Sequence, residues 1–390
     1  MEQNYAQLTL IAGAALLAPL VSGLPRHVRL PVVVVELMLG ILLGPHGLNF
    51  AQPTGLIDGL SELGLTFLLF MVGYEIDVEN LRGPVFTKAA TGWILSFGLG
   101  LVLMELFHAT GLITAPPLMA AVALSTTALG VLIPILRDNG EIDTPFGQRF
   151  LPVATLGEFG PLMVISLLLI PTHATVLHTL FIVLFLGLAF LVAFGAHHPK
   201  IRDFGQNLAT VLPKSGEFQV RLCILIQAVF VLLASHFGLN VVIGAFAAGL
   251  IVRLFARETE HTSLEEKLNG IGYGFLIPFF FIVAGLRFDP SLLGTGPMAA
   301  FQVVGLLILL LIIRGVPVFL YSKEMSLQGK LRFTLYSATG LPIIVIVTEI
   351  GISSELMRPE RAAALLCAGM ISVFLFPLLA EKIKASEFRP

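Results

Sequence analysis

The apolar positions of this chain fall in long blocks, not at the three-and-four spacing of a helix with one wet face nor in the alternation of a half-buried strand. A block of about 18 or more mostly apolar residues can cross a hydrocarbon core of roughly 30 Å. Every backbone polar group in such a block must be satisfied within the segment, so the blocks are helices. Breakers and charges divide them into thirteen predicted spans, residues 6–24, 30–44, 59–76, 86–106, 113–136, 149–171, 175–196, 220–237, 239–255, 270–288, 297–321, 331–351 and 360–381. The pattern predicts an all-α integral membrane protein.

Composition agrees. Of the 390 residues 56% are hydrophobic and 12% charged, where a soluble domain carries roughly 25% charged residues. The net charge of −2 names no partner, and no basic face or binding motif points to nucleic acid. Cys223 and Cys367 lie in separate apolar runs and read as packing residues, not as a disulfide. The nine histidines show no metal-ligand spacing, His197 and His198 fall in a predicted loop, and no cofactor is expected. Nothing in the pattern suggests an enzyme.

The flanks set a topology. The first span is preceded by the acidic MEQNYAQ and followed by Arg26 and Arg29, the wrong polarity for a cleaved signal and the right one for a retained helix starting outside. With that orientation nineteen of the 23 basic residues lie on the inner side, among them Arg137, Arg149, Lys330 and Arg332. Three, Arg287, Arg358 and Arg361, lie outside, and Arg314 lies within a span. This loop-by-loop bias supports thirteen spans with the carboxyl terminus inside.

The chain also resembles itself. LPVVVVELMLGIL from Leu30 aligns with LNVVIGAFAAGLI from Leu239, and FLLFMVGYEID from Phe67 with FFFIVAGLRFD from Phe279, at offsets of 209 and 212. The pairs share Gly40/Gly249 and Gly73/Gly285. They join span 2 to span 9 and span 3 to span 10. Two six-span halves, 1–6 and 8–13, therefore enter the membrane in opposite directions around span 7. Inverted repeats of this kind place transport sites at mid-membrane between interrupted helices. The matching interrupted pair is then span 5, with ALSTTALG (Ala123–Gly130), and span 12, with YSATGLP (Tyr336–Pro342). Ser125, Thr126, Thr127, Ser337, Thr339, Gly340 and Pro342 are the expected unwound positions. A kinked but continuous helix is the competing reading for span 5.

Ionisable residues inside a membrane are functional candidates by default. Two lie deep: Glu158 in TLGEFGP of span 6, between Gly157 and Gly160, and Arg314 in span 11. A carboxylate at that depth is a place where protons and cations compete. An arginine stays charged, so Arg314 either offsets carbonyl dipoles of the interrupted helices or pairs with Glu158 when no cation is bound. Glu36 and Glu349 lie nearer span ends, where solvated and structural roles compete with a functional one. Glu62, Glu75, Asp77, Glu105 and Asp289 fall at predicted interfaces.

LPVVVVELMLGILLGPHGL, LGLTFLLFMVGYEID, ALSTTALGVLIPIL, GAFAAGLIV and GFLIPFFFIVAGLRFD, in this order and over nearly the whole chain, resemble the second family of monovalent cation/proton antiporters. That family includes bacterial sodium/proton antiporters and glutathione-gated potassium efflux antiporters. The resemblance implies a homodimer in the cell (inner) membrane, crossed unwound helices, and a core that moves as an elevator against a scaffold. On this chain 1–80 and 220–290 would be scaffold and dimer domain, 84–171 and 297–385 the core, and 175–196 a linker helix. In the family, span 6 carries a paired motif whose second acid binds the ion. Counting from TPFG (Thr144–Gly147) puts Glu158 at that second position and Gly157 at the first. Thr126 and Thr127 match the polar pair of the unwound helix, and Arg314 stands where relatives carry lysine or arginine. Glutamate for aspartate and glycine for the first motif residue are departures, so the ion, Na⁺ or K⁺, is not inherited.

The function implied is exchange of a monovalent cation for H⁺, with a role in pH homeostasis. With Gly157 and a permanently charged Arg314, one carboxylate carries both ions, which predicts electroneutral exchange. The chain ends about ten residues after span 13, so a nucleotide-binding regulatory domain is not expected, and regulation would come from a separate subunit. Membrane lipid is the surrounding partner. The rival readings are a proton-coupled or anion-binding solute transporter, with Arg314 holding a carboxylate, and a non-transporting sensor. A pore would need a continuous line of polar groups.

Overall fold

The computed structural model describes residues 2–23, 30–53, 55–75, 83–110, 116–168, 216–236, 241–255, 258–293, 297–321 and 325–383. The regular structure in them is helical: α1 (Glu2–Gly23), α2 (Val32–Leu43), α3 (Leu56–Glu75), α4 (Gly83–Ala109), α5 (Pro117–Leu124), α6 (Leu129–Asp138), α7 (Pro145–Leu168), α8 (Gly216–His236), α9 (Val241–Phe255), α10 (Glu258–Ile271), α11 (Ile277–Arg287), α12 (Pro297–Gly315), α13 (Leu327–Ser337), α14 (Pro342–Ser353) and α15 (Pro359–Lys382). A π-turn, Gly272–Leu276, joins α10 to α11, and a 3₁₀ stretch, Val316–Tyr321, ends α12.

Twelve of the thirteen predicted spans meet helices. The seventh, 175–196, proposed as the linker, lies outside the described residues, as do Asp77, His197 and His198. Eight described stretches are long and apolar enough to cross a membrane, and Val32–Leu43, Pro117–Ile133 and Val241–Arg253 are shorter apolar helices. Their outer surfaces are apolar too. Ile94 and Val102 on α4, Leu232 on α8 and Phe319 stand more than half exposed, an arrangement that lipid favours and water does not.

The chain divides into two compact units, Met1–Ala15 with Pro53–Leu81 and Ser166–Val283, and Leu16–Gln52 with Arg82–Ile165 and Ala284–Pro390. In the first, α3 and α9 cross in direct backbone contact: a Cβ on Gly249 would strike the Phe70 carbonyl and one on Gly73 the Phe246 carbonyl. In the second, α2 and α11 cross the same way, since a Cβ on Gly285 would strike the Leu37 carbonyl and the Gly40 Cα. The repeat equates Gly40 with Gly249 and Gly73 with Gly285. The two crossings are therefore one contact built twice, each half of the chain supplying one helix to each. Only glycine permits so close an approach.

Both expected interruptions are present, in the second unit. Span 5 breaks between α5 and α6 at 125–128, and span 12 between α13 and α14 at 338–341. Span 5 is thus broken and not merely kinked. Ser337 and Pro342, expected among the unwound positions, close the flanking helices instead: Ser337 is the last residue of α13 and Pro342 the first of α14. Proline fits there because a first-turn N–H has no helical partner to lose.

Candidate ion-binding site

The breaks leave carbonyls without helical partners, and local hydroxyls take them up. Ser125 Oγ donates to the Val122 carbonyl at 2.9 Å, Thr126 Oγ1 to Ala123 at 2.8 Å and Thr339 Oγ1 to Leu335 at 3.0 Å. This is how serine and threonine compete with helix continuation. The breaks then bind one another. The Ala128 N–H donates to the Thr339 carbonyl at 2.7 Å, and a Cβ on Gly340 would lie 2.5 Å from Thr126 Oγ1. Ser372 on α15 steadies the second break: the Gly340 N–H donates to its Oγ at 3.2 Å, and that Oγ lies 3.1 Å from the Gly340 carbonyl.

The third strand of contact comes from α7, which carries Pro152 and Pro161 within its length. Pro161 has no N–H to offer the carbonyl four residues back, which is that of Gly157. The Thr127 N–H occupies that carbonyl at 3.0 Å. The GEFGP sequence thus opens an acceptor on α7 that ties the first break to it. Glu158, the next residue, is 9% exposed. Two residues on, a Cβ at Gly160 would strike the Trp93 ring of α4.

Arg314, on the last turn of α12, is 2% exposed and reaches into this junction. Its Nη2 donates to Thr127 Oγ1 at 2.7 Å and to the Val153 carbonyl at 3.5 Å, its Nε to the Ser337 carbonyl at 3.2 Å, and its Nη1 to Ser96 Oγ at 3.2 Å. Thr127 Oγ1 passes its own proton to the Ser337 carbonyl at 2.6 Å. The oxygens that receive the guanidinium are uncharged. One of them is the carbonyl end of α13, where a cation offsets the negative end of the helix dipole. Gly157 fits this arrangement: a Cβ there would stand 2.6 Å from Thr127 Oγ1 and 2.8 Å from Arg314 Nη2. The guanidinium fills the space where the resemblance leads one to expect a side chain.

The structure brings Ser125, Thr126, Thr127, Ser337, Thr339, Gly340, Pro342, Gly157 and Arg314 to one junction, with Glu158 beside it on α7. Glu36 is buried on α2, and Glu349 on α14 forms an ion pair with Arg287. Cys223 and Cys367 are free thiols. The sequence reading missed Ser96, which is fully buried, and Ser372. A lone hydroxyl in an apolar helix usually bonds its own backbone, so neither carried a signal. It also placed Arg332 in an inner loop, whereas this residue is buried on α13 at 3% exposure.

A sequence profile for the transmembrane sodium/hydrogen exchangers matches residues 12–381. The chain belongs to the sodium/hydrogen exchanger family. This exchanger-family chain is 27% identical to YjbQ of Bacillus subtilis over 99% of its own length, and it spans 64% of the length of YjbQ. It is 24% identical to a Na(+)/H(+) antiporter of Enterococcus hirae, covering 92% of this chain and 93% of that one. Its fold matches that of the sodium proton antiporter MjNhaP1 from Methanocaldococcus jannaschii with a TM-score of 0.59 at 15% identity, over 98% of this chain and 97% of that one. Membership of the family agrees with the multi-pass helical architecture and with the crossed breaks.

Proposed function

We propose that this chain exchanges a monovalent cation, Na⁺ or K⁺, for H⁺, with Glu158 as the carboxylate that the two occupy in turn. The observation that carries the reading is the junction itself, where two broken helices, α7 and Arg314 converge beside a buried acid. Relatives named as sodium/proton antiporters support the same reading. Thr126 and Thr127 supply oxygens next to the ion, and Arg314 supplies a fixed positive charge that keeps the junction closed to a second cation. One carboxylate alternating between one proton and one cation makes the cycle electroneutral.

The remaining parts follow from the family reading. Residues 84–171 and 297–385 move as the core of an elevator against a scaffold of 1–80 and 220–290, within a homodimer in the cell membrane. The amino terminus lies outside and the carboxyl terminus in the cytoplasm, with any regulatory subunit meeting that inner face.

The test is exchange in everted vesicles and proteoliposomes. Na⁺ or K⁺ should dissipate an imposed pH gradient, Glu158→Gln should abolish the response while leaving the protein folded, and an imposed membrane potential should leave the rate unchanged. Retained exchange in the Glu158→Gln protein moves the site elsewhere. A rate that follows the potential overturns electroneutrality. No response from the unaltered chain to any monovalent cation removes the exchange reading.

A further inference from the structure

The TPFG sequence, Thr144–Gly147, lies fourteen to eleven residues before Glu158, and the exchange of ions at Glu158 gives it no task. The structure places it beside one ion pair, between a buried arginine and a half-buried glutamate. Arg332 Nη2 of α13 donates to both carboxylate oxygens of Glu141, at 2.5 and 2.6 Å. Glu141 belongs to the turn between α6 and α7. Thr144 holds that turn by donating through Oγ1 to the Glu141 carbonyl at 2.7 Å and accepting the Gly147 N–H at 3.3 Å. Pro145 opens α7. Gly147 lies so close to the Glu141 and Ile142 carbonyls that any Cβ would strike them. Phe146 lays its ring 5.2 Å from the Arg332 guanidinium carbon, and Tyr336 lays another at 5.5 Å. The motif builds a cradle for one arginine.

Where the arginine leads gives the cradle its meaning. Arg332 lies one turn before Tyr336, whose hydroxyl is 3.4 Å from Nη2. The next residue is Ser337, whose carbonyl receives both Arg314 and Thr127. A buried ion pair contributes little to stability compared with apolar packing, and its best-attested use is to fix one arrangement among several. We propose that Glu141 and Arg332 are positioning residues for the exchange site: held in the TPFG cradle, the pair locks the end of α13 so that the Ser337 carbonyl stays seated against Arg314 and Thr127. This deepens the exchange reading and rests on it for its effect on transport. Its structural claim can be tested alone.

The experiment uses the full-length protein in three forms, Glu141→Gln, Arg332→Gln, and the double exchange Glu141→Arg with Arg332→Glu. Amide hydrogen exchange across 337–341 reports the seat directly. Each single variant should speed it about tenfold, and the double variant should restore most of the protection. In proteoliposomes the singles should raise the apparent KM for the cation about tenfold, again recovered in the double variant. Unchanged amide exchange in the singles overturns the proposal, as does a double variant no better than either single. A lowered melting temperature with unchanged amide exchange at 337–341 and unchanged KM would show the pair to be structural only, which also overturns it. If the unaltered protein moves no cation, the exchange reading falls, and the amide measurement still decides the pair.

Discussion

Two buried arginines lie eighteen positions apart in the second unit, and they are held in opposite ways. Arg332 meets a carboxylate through two oxygens and lies against two neighbouring aromatic rings. Its charge is neutralised at contact. Arg314 meets two hydroxyls and two carbonyls, all uncharged. Its charge is spread over the first break, the carbonyl end of α13, α4 and α7, with no carboxylate among these four oxygens. The first arrangement suits an arginine whose task is to stay still. The second suits one that must balance a site whose own charge changes as a proton or a cation enters.

The comparison breaks most readily at Arg314. Arg314→Met takes a donor from four acceptors, one of them the carbonyl end of α13, and each buried group left unsatisfied costs about 1–3 kcal/mol. Exchange measured in proteoliposomes should fall at least about 100-fold. Arg314→Lys should recover only part of it, because a single ammonium cannot reach in three directions as a guanidinium does. No single acidic or basic change elsewhere should restore the Met variant, since its partners carry no charge to reverse. This separates Arg314 from Arg332, whose loss the exchange with Glu141 should repair. Equal repair of both would erase the distinction.

A smaller effect is expected at Gly157. Gly157→Ala keeps every charge but sets a methyl carbon within 2.8 Å of Arg314 Nη2 and closer still to Thr127. Overpacking of this size costs about 1–3 kcal/mol, which should appear as roughly a tenfold loss of exchange with the protein still folded. The matching change at Arg332 is Gly147→Ala, which crowds backbone carbonyls instead of a side chain. It should lower the melting temperature more than Gly157→Ala does. The reverse ranking would mean that the α6–α7 turn is the softer of the two sites.

How much of this could be read beforehand depends on which groups have a pattern. The breaks at 125–128 and 338–341 were legible because Ser, Thr, Gly and Pro interrupt an apolar run at matching places in two halves of a repeat. The glycine crossings were legible as a pairing, Gly40 with Gly249 and Gly73 with Gly285, though not as contacts, because sequence does not say which helix a glycine faces. Glu158 and Arg314 stood out as charges in apolar spans. Arg332 did not, because it lies one residue inside a predicted span boundary that is itself uncertain by a turn, and a basic residue there looks like part of an inner loop. Ser96 and Ser372 were silent, since nothing in one chain separates a hydroxyl bonding across helices from one bonding its own turn.

Ser96 also supplies the mildest test of the opening contrast. Of the four oxygens on Arg314 it is the one contributed by α4, outside both breaks and α7, and it is fully buried. Ser96→Ala removes that acceptor while leaving Thr127 and the Ser337 and Val153 carbonyls in place. A hydrogen bond to a charged group contributes about 1.5–3 kcal/mol, and three remaining partners can absorb part of the loss. Exchange should therefore drop only about three- to tenfold, with the fold intact and Ser96→Thr close to the unaltered protein. A total loss would mean that α4 is what holds the guanidinium, and the broken helices only receive it. No loss at all would mean that Thr127 and the Ser337 and Val153 carbonyls fix Arg314 without help from α4.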